Sequence, residues 1–292
     1  MIRLAHISDI HVSARPLGWR VGDAFNKRLT SWLNVRLRRR SRFLHADAIL
    51  SAFRDDVARR RIDHVVFSGD ATSLGFASEM RRAAEALGVG SFPGLAVPGN
   101  HDYLTRSAAA SGDFERIFAP WQAGQRIDDH PYPFAQRVGG VWLVGVNSAR
   151  ANRLSWNASG EVGAEQRRRL ARLLARLESG PRILVTHYPI RLADGRREGI
   201  AHGLVDVDAV VETAVGGGIG LWLHGHRHGF HHHAAHAAAP FPVVCAGSGT
   251  QTGSWSYVEY ELSGDRLEAR RRRYDFDSRQ FQDAEAFEIG MG

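Results

Sequence analysis

Short apolar, β-branched runs recur along the chain at 2–7, 64–68, 94–97, 141–147, 182–187, 221–224 and 243–246, and each reads as a buried strand. Between them, apolar positions fall at helical spacing over 46–60, 77–87, 164–178 and 206–214. In the third of these, Leu170, Leu173, Leu174 and Leu177 share one face and arginines the other, which predicts an amphipathic helix lying on a sheet. The period then changes. Residues 256–262 and 266–274 alternate apolar and polar side chains around Ser263, Gly264 and Asp265, the pattern of an antiparallel hairpin closing one sheet. From Asp275 the chain is polar, and 275–292 is expected to be a loosely attached tail. The class is α/β, with mixed sheets packed between helices and no internal repeat.

Composition narrows the reading. With 292 residues and 43% hydrophobic content the chain can bury a large core, near the upper size of a single hydrophobic unit. The longest apolar stretches, such as 141–146 and 183–185, fall far short of the roughly 20 residues that span a bilayer. The opening MIRLAHISDI lacks the basic-then-apolar layout of a secretory signal, so the expectation is a mature chain that starts at Met1 and stays in the cytoplasm. The single cysteine, Cys245, sits in the run PFPVVCAGS and reads as a buried strand thiol rather than a nucleophile. Net charge is +7, from 38 basic and 31 acidic residues, and Lys27 is the only lysine. Guanidinium groups bind phosphate bidentately, so this surface suits an anionic partner without choosing among nucleic acid, membrane surface and small nucleotide.

Five clusters of polar residues follow strand candidates, where open α/β sheets place their ligands. They are Asp9-Ile10-His11, Gly69-Asp70, Gly99-Asn100-His101-Asp102, Thr186-His187, and Gly225 flanked by His224 and His226. All offer oxygen or imidazole donors and none a thiolate, which suits manganese, iron, zinc or a mixture rather than a structural zinc knot. Residues two apart in an extended segment point the same way, so Asp9 with His11, and His224 with His226, can each face one point. Glycines 69, 99 and 225 remove bulk where backbones must crowd a small cluster.

Taken in order, Asp-x-His, Gly-Asp, Gly-Asn-His-Asp, His and Gly-His-x-His resemble the calcineurin-like metallophosphoesterase superfamily, over 9–226. The resemblance implies a pair of mixed β-sheets packed as a sandwich with flanking helices. It implies a metallophosphoesterase domain over 1–274, carrying a basic amphipathic insertion at 26–43 and followed by the tail at 275–292. It further implies two divalent metal ions, manganese first and iron or zinc as alternatives. Asp9, His11 and His226 would hold one ion, Asn100, His187 and His224 the other, and Asp70 would bridge them. His101 matches the family's catalytic histidine, and Asp102 is expected to orient it. Two divalent ions and two aspartates leave a core of about +2, a site that attracts anions. Such ions would generate a bridging hydroxide and polarise phosphoryl oxygens for in-line displacement, with His101 stabilising charge or donating a proton.

The expected function is hydrolysis of a phosphodiester or pyrophosphate bond, of a cyclic nucleotide or a lipid-linked UDP-sugar. Nucleic-acid cleavage is an alternative that the basic charge alone supports, without a recognised nucleic-acid-binding module. A non-enzymatic metal-binding scaffold would be expected to have lost ligands, and all seven positions are filled. The 26–43 segment bears on the choice. Its Leu29, Trp32, Leu33 and Leu37 share a face if helical, among Lys27, Arg28, Arg36, Arg38, Arg39, Arg40 and Arg42. It reads equally as a helix docked on the core or as one that contacts an anionic membrane at its inner face. UDP-2,3-diacylglucosamine hydrolases of the superfamily act at a membrane, and Trp19, Trp32 and Leu33 are candidates for an apolar groove. Seven histidines lie between His224 and His236. His228 and His231 are candidate substrate contacts, and the others read as an exposed loop. The run from Arg270 to Arg273 reads as a charged sheet edge.

Overall fold

The computed structural model describes residues 1–154, 156–236, 239–263 and 266–290, and at residues 38–40 and 266 the backbone alone. Gly264 and Asp265 of the expected hairpin turn lie outside the described residues. In chain order the elements are β1 (Ile2–Ile7), α1 (Lys27–Asn34), α2 (Ala46–Arg60), β2 (His64–Phe67), α3 (Ala77–Leu87), β3 (Gly94–Ala96), α4 (Arg106–Ala110) and α5 (Asp113–Ile117). There follow β4 (Phe134–Val138), β5 (Val141–Gly145), α6 (Ala164–Arg176), β6 (Arg182–Val185), α7 (Val207–Gly216) and β7 (Leu221–His224). The last are β8 (His231–His233), β9 (Val243–Cys245), β10 (Ser256–Ser263), β11 (Arg266–Asp275) and β12 (Gln280–Gly290).

Two six-stranded mixed sheets result, ordered β12-β11-β10-β1-β2-β3 and β4-β5-β6-β7-β9-β8. In the first, β1, β2 and β3 run parallel and β10 to β12 antiparallel beside them. In the second, β5, β6, β7 and β9 are parallel, with antiparallel strands at both edges. Their inner faces share one core, in which Leu4, Val66 and Leu95 meet Leu143, Ile183 and Leu223. Outside, Phe53, Val57 and Met80 of α2 and α3 cover the first sheet, and Leu170, Leu173, Leu174 and Val210 of α6 and α7 cover the second. The leucine stripe read in α6 is this buried face. Strands buried on both sides explain why the central runs are continuously apolar rather than alternating.

Three expectations need correction. The stretch after Asp275 is not a loose tail. β12 pairs with β11 from Gln280↔Asp275 to Gly290↔Arg266, around a bulge at Arg271 and Arg272. Its polarity comes from its position as an edge strand with one solvated face. The run from Arg270 to Arg273 is accordingly not an edge, because β12 covers it, and Arg272 is buried. Arg272 Nε donates to Asp56 Oδ2 of α2 at 2.9 Å, Tyr257 Oη donates to the same oxygen at 2.7 Å, and Arg272 also pairs with Asp283 of β12. Third, 26–43 is not one amphipathic helix. After α1 it passes through a π-type turn at Val35–Arg39 and a 3₁₀ turn at Arg40–Phe43, which breaks the shared face. Leu29, Leu33 and Leu37 are exposed. Among the described residues no helix is long and apolar enough to cross a membrane.

The pair of acids around Arg272 predicts unequal losses. Asp56→Ala leaves a buried guanidinium short of its buried carboxylate and should cost about 3–5 kcal/mol. Asp283→Ala removes a largely exposed partner and should cost under about 1 kcal/mol. Denaturant midpoints of the two variants check this, and equal shifts would exclude the asymmetric role.

Candidate metal centre

The parallel pairing of β1 with β2 continues past both strands, with Asp9 N donating to Gly69 O at 2.9 Å and His11 N to Asp70 O at 3.1 Å. Side chains from the other sheet's side of the molecule pin the same loop, Ser248 Oγ donating to Asp9 O and Thr250 Oγ1 to Ile10 O, each at 2.6 Å. The loops after β3, β6 and β7 bring Asn100, His187 and His226 to the same seam. Asp9, His11, Asp70, His226 and His228 all adopt positive φ, between 43° and 74°, conformations L residues rarely hold. Such backbone strain, about 1–3 kcal/mol per residue, persists only where surroundings enforce it, and it clusters at functional sites.

Asp70 lies at the centre of the seam. Its Oδ2 is 3.6 Å from His11 Nε2 and 3.5 Å from His187 Nε2, and its Oδ1 accepts from His101 N at 2.8 Å. On one side, His228 Nε2 lies 3.4 Å from Asp9 Oδ1 and 3.1 Å from His11 Nε2. On the other, Asn100 Oδ1 is 3.2 Å from His187 Nε2 and 3.1 Å from His226 Nδ1. Asp70 thus stands between two donor groups.

The donors fit divalent cations. His11, His187 and His228 each donate Nδ1–H to an oxygen, of Thr72, Ser68 and Gln251 respectively, so each directs an Nε2 lone pair into the seam. That is the arrangement of metal-ligating histidines. His11 Nε2 and His228 Nε2 lie 3.1 Å apart, close enough for one cation to take both. Asp9 Oδ1 is buried without a hydrogen-bond partner, a costly state for a carboxylate oxygen unless something positive fills it. The metal-free site also shows its demand for positive charge. Burial opposes an imidazolium, yet the Asp70 carboxylate pushes His187 up to about 9. Burial likewise acts to raise Asp70, but the charges of His187, His101 and His11 hold it well below the ordinary carboxylate range.

Two assignments shift. His224 is not in the cluster. It is the last residue of β7, its Nδ1 donates to Gly225 O at 3.0 Å, and its Nε2 has no partner. The His-x-His pair that reaches the seam is His226 with His228, which the Gly-His-x-His pattern gives when counted from Gly225. His226 consequently sits with Asn100 and His187, and His228 takes its place beside Asp9 and His11. Nor does Asp102 act as a partner of the His101 ring. Its carboxylate accepts from the backbone N–H of Gly99, Asp70, Ala71 and Thr72 and from Thr72 Oγ1. It ties the loops after β2 and β3 together. His101 Nδ1 donates instead to Ser73 O at 2.8 Å, and atoms of His11, Asp70 and His101 fall within 4.8 Å of one another. Ser73 and Gln251 carry no sequence signal, since their roles arise only when distant loops meet.

A cavity of about 1910 Å³ opens beside His11 and Ser73, walled by apolar Leu17, Trp19, Trp32, Phe43 and Phe76 and also by charged Arg15, Arg28, Arg82 and Asp47. The Phe43 ring lies 5.0 Å from that of His11. Trp19 and Trp32 line this cavity, and Leu33 does not.

Residues 2–230 match the sequence profile of the calcineurin-like phosphoesterases. The chain belongs to that family. No curated protein matches it in sequence, but solved structures do in fold. A dimetal phosphatase from Danio rerio superposes with a TM-score of 0.67 at 14% identity, covering 100% of this chain and 99% of that one. A purple acid phosphatase from yellow lupin (Lupinus luteus) seeds gives 0.63 at 14%, covering 99% of this chain and 53% of the lupin chain. GAP50, the anchor in the inner membrane complex of Plasmodium, gives 0.56 at 11%, covering 100% and 89%. At such identities these likenesses speak for the fold. The family establishes a phosphoesterase with candidate ligands for a dinuclear divalent centre.

The crowding of the seam is testable at its glycines. A Cβ on Gly225 would overlap Ser8 Oγ and the Asp9 carboxylate, whereas one on Gly229 would come no closer than 3.9 Å to Arg227 O. Gly225→Ala should therefore lose about 1–3 kcal/mol by overpacking, and Gly229→Ala should stay within about 0.5 kcal/mol of the parent. Thermal melts compare the two.

Proposed function

We propose that this chain hydrolyses a phosphodiester or pyrophosphate bond. Asp9, His11 and His228 would hold one divalent cation, Asn100, His187 and His226 the other, and Asp70 both. Convergence of these donors on Asp70 carries the reading. The cations, manganese first with iron or zinc as alternatives, would supply Lewis acidity toward phosphoryl oxygens and activate water. The protein contributes position and protons. Asp102 harnesses the loops that present Asp70 and Asn100, and Ser73 O fixes the His101 ring so that its other nitrogen serves the leaving oxygen. GAP50 is described as an anchor, so this fold does not by itself require catalysis; a complete donor set favours the enzyme here.

For the substrate, the cavity favours one with an apolar portion. Drug-sized ligands occupy about 300–1,000 Å³, so a cyclic nucleotide would leave much of the 1910 Å³ unfilled. A lipid-linked UDP-sugar would place its pyrophosphate at the His11 edge and its acyl chains along Trp19, Trp32 and Phe76. Exposed Val21, Phe25, Leu29, Leu33 and Leu37 on the same segment suit approach to an anionic membrane surface. A nucleic acid has the charge in its favour but no recognised nucleic-acid-binding module in the sequence to accompany it.

Manganese-loaded protein should turn over a bis-aryl phosphodiester. Asp70→Ala and His228→Ala should lose bound manganese with activity, while His101→Ala should lower kcat by about 10²–10⁴-fold and keep its metal; metal analysis showing loss in the last variant would refute this division. For the groove, Trp32→Ala should lower kcat/KM on UDP-diacylglucosamine by about tenfold, the scale of one lost apolar contact of 1–3 kcal/mol. Hydrolysis of the aryl diester should hardly change. Equal losses on both substrates would exclude the groove as the lipid site.

A further inference from the structure

We propose a third metal site, formed by His224, His231 and Cys245, that takes a thiophilic cation, zinc first. The register of the second sheet creates it. His224 of β7 pairs across to Cys245 of β9, and Cys245 pairs across to His231 of β8, so the three residues form one rung over three adjacent strands. Side chains on one rung project from the same face of a sheet, on strands about 4.8 Å apart. One donor atom from each lies within 4.8 Å of the other two. His224 and Cys245 are fully buried and His231 is 9% exposed.

The hydrogen bonds show which ring nitrogens are already engaged. His224 Nδ1 donates to Gly225 O at 3.0 Å and His231 Nδ1 to Gly229 O at 3.2 Å. Each ring therefore presents an unprotonated Nε2, and both of these nitrogens are buried with no partner. Leaving two acceptors desolvated is costly, and a shared cation removes both penalties. The Cys245 thiol completes the set, its Sγ 3.5 Å from Gly225 O. On binding, that thiol gives up its proton and the thiolate becomes a ligand.

Two imidazoles and a thiolate select zinc or a similarly soft ion over manganese, and they leave the fourth position of a tetrahedral zinc open. The site differs in chemistry from the oxygen- and imidazole-lined seam and does not depend on the proposed reaction. Its cation would clamp the ends of β7, β8 and β9, from which His226 and His228 extend.

Cobalt titration of metal-stripped, full-length protein tests the site, because Cys245 is the only cysteine and any near-ultraviolet thiolate-to-cobalt charge-transfer band must arise there. The band should appear stoichiometrically with the chain, vanish when zinc is added, be lost in Cys245→Ser and His231→Ala, and persist in Asp70→Ala. A parent protein without the band at saturating cobalt overturns the proposal whether or not any variant folds. So does a band unchanged in His231→Ala.

Discussion

A carboxylate buried where two sheets meet has no water to stabilise it, and Asp70 is held by what the loops bring to it. Its neighbours are imidazoles from both sheets, and its backbone N–H is bound by a second buried carboxylate, Asp102. Burial and mutual repulsion push Asp102 up to about 7 even though five donors point at it. Two negative groups this close in a dry seam demand positive charge, and the strained loops of Asp9, His11, His226 and His228 are the means of directing it there. Architecture, strain and chemistry follow from that one concentration of charge.

Much of this was legible in the chain. Continuous apolar runs located the parallel strands because these are buried on both faces, and the stripe of Leu170, Leu173 and Leu174 located α6 because only one face is. The loops that meet at the seam were legible for the same reason, as polar residues directly after those runs. The reading failed where an interaction is tertiary. β12 does send Phe281 and Ile289 into the core, but charged residues separate them and a bulge interrupts the register, so no regular alternation marks the strand. His224 was misplaced although the pattern counted from Gly225 selects His226 and His228, and the end of β7 shows why, since His224 is still part of the strand. Asp102 looked like a partner for His101 because the two are adjacent, yet adjacent side chains leave the backbone in different directions.

The 26–43 segment shows a subtler limit. A helical wheel gave it one apolar face, but Leu29 and Leu33 are already exposed within α1, and the π-type turn at Val35–Arg39 separates Leu37 from them. Trp32 is turned toward the cavity and Leu33 and Leu37 toward solvent. An insertion can thus line a groove and present an apolar exterior at once, which a regular amphipathic helix cannot.

The topology also sets an order of assembly. The second sheet is built from one continuous stretch, 134–245, whereas the first joins β1, β2 and β3 to strands that begin at Ser256. At about 5–20 residues per second of synthesis, the open flank of β1 waits roughly 10–50 s for β10. Every donor of the seam, from Asp9 to His228, has left the ribosome's catalytic centre before that flank is closed. Assembly of the seam and completion of the first sheet are therefore separable events in the birth of the protein.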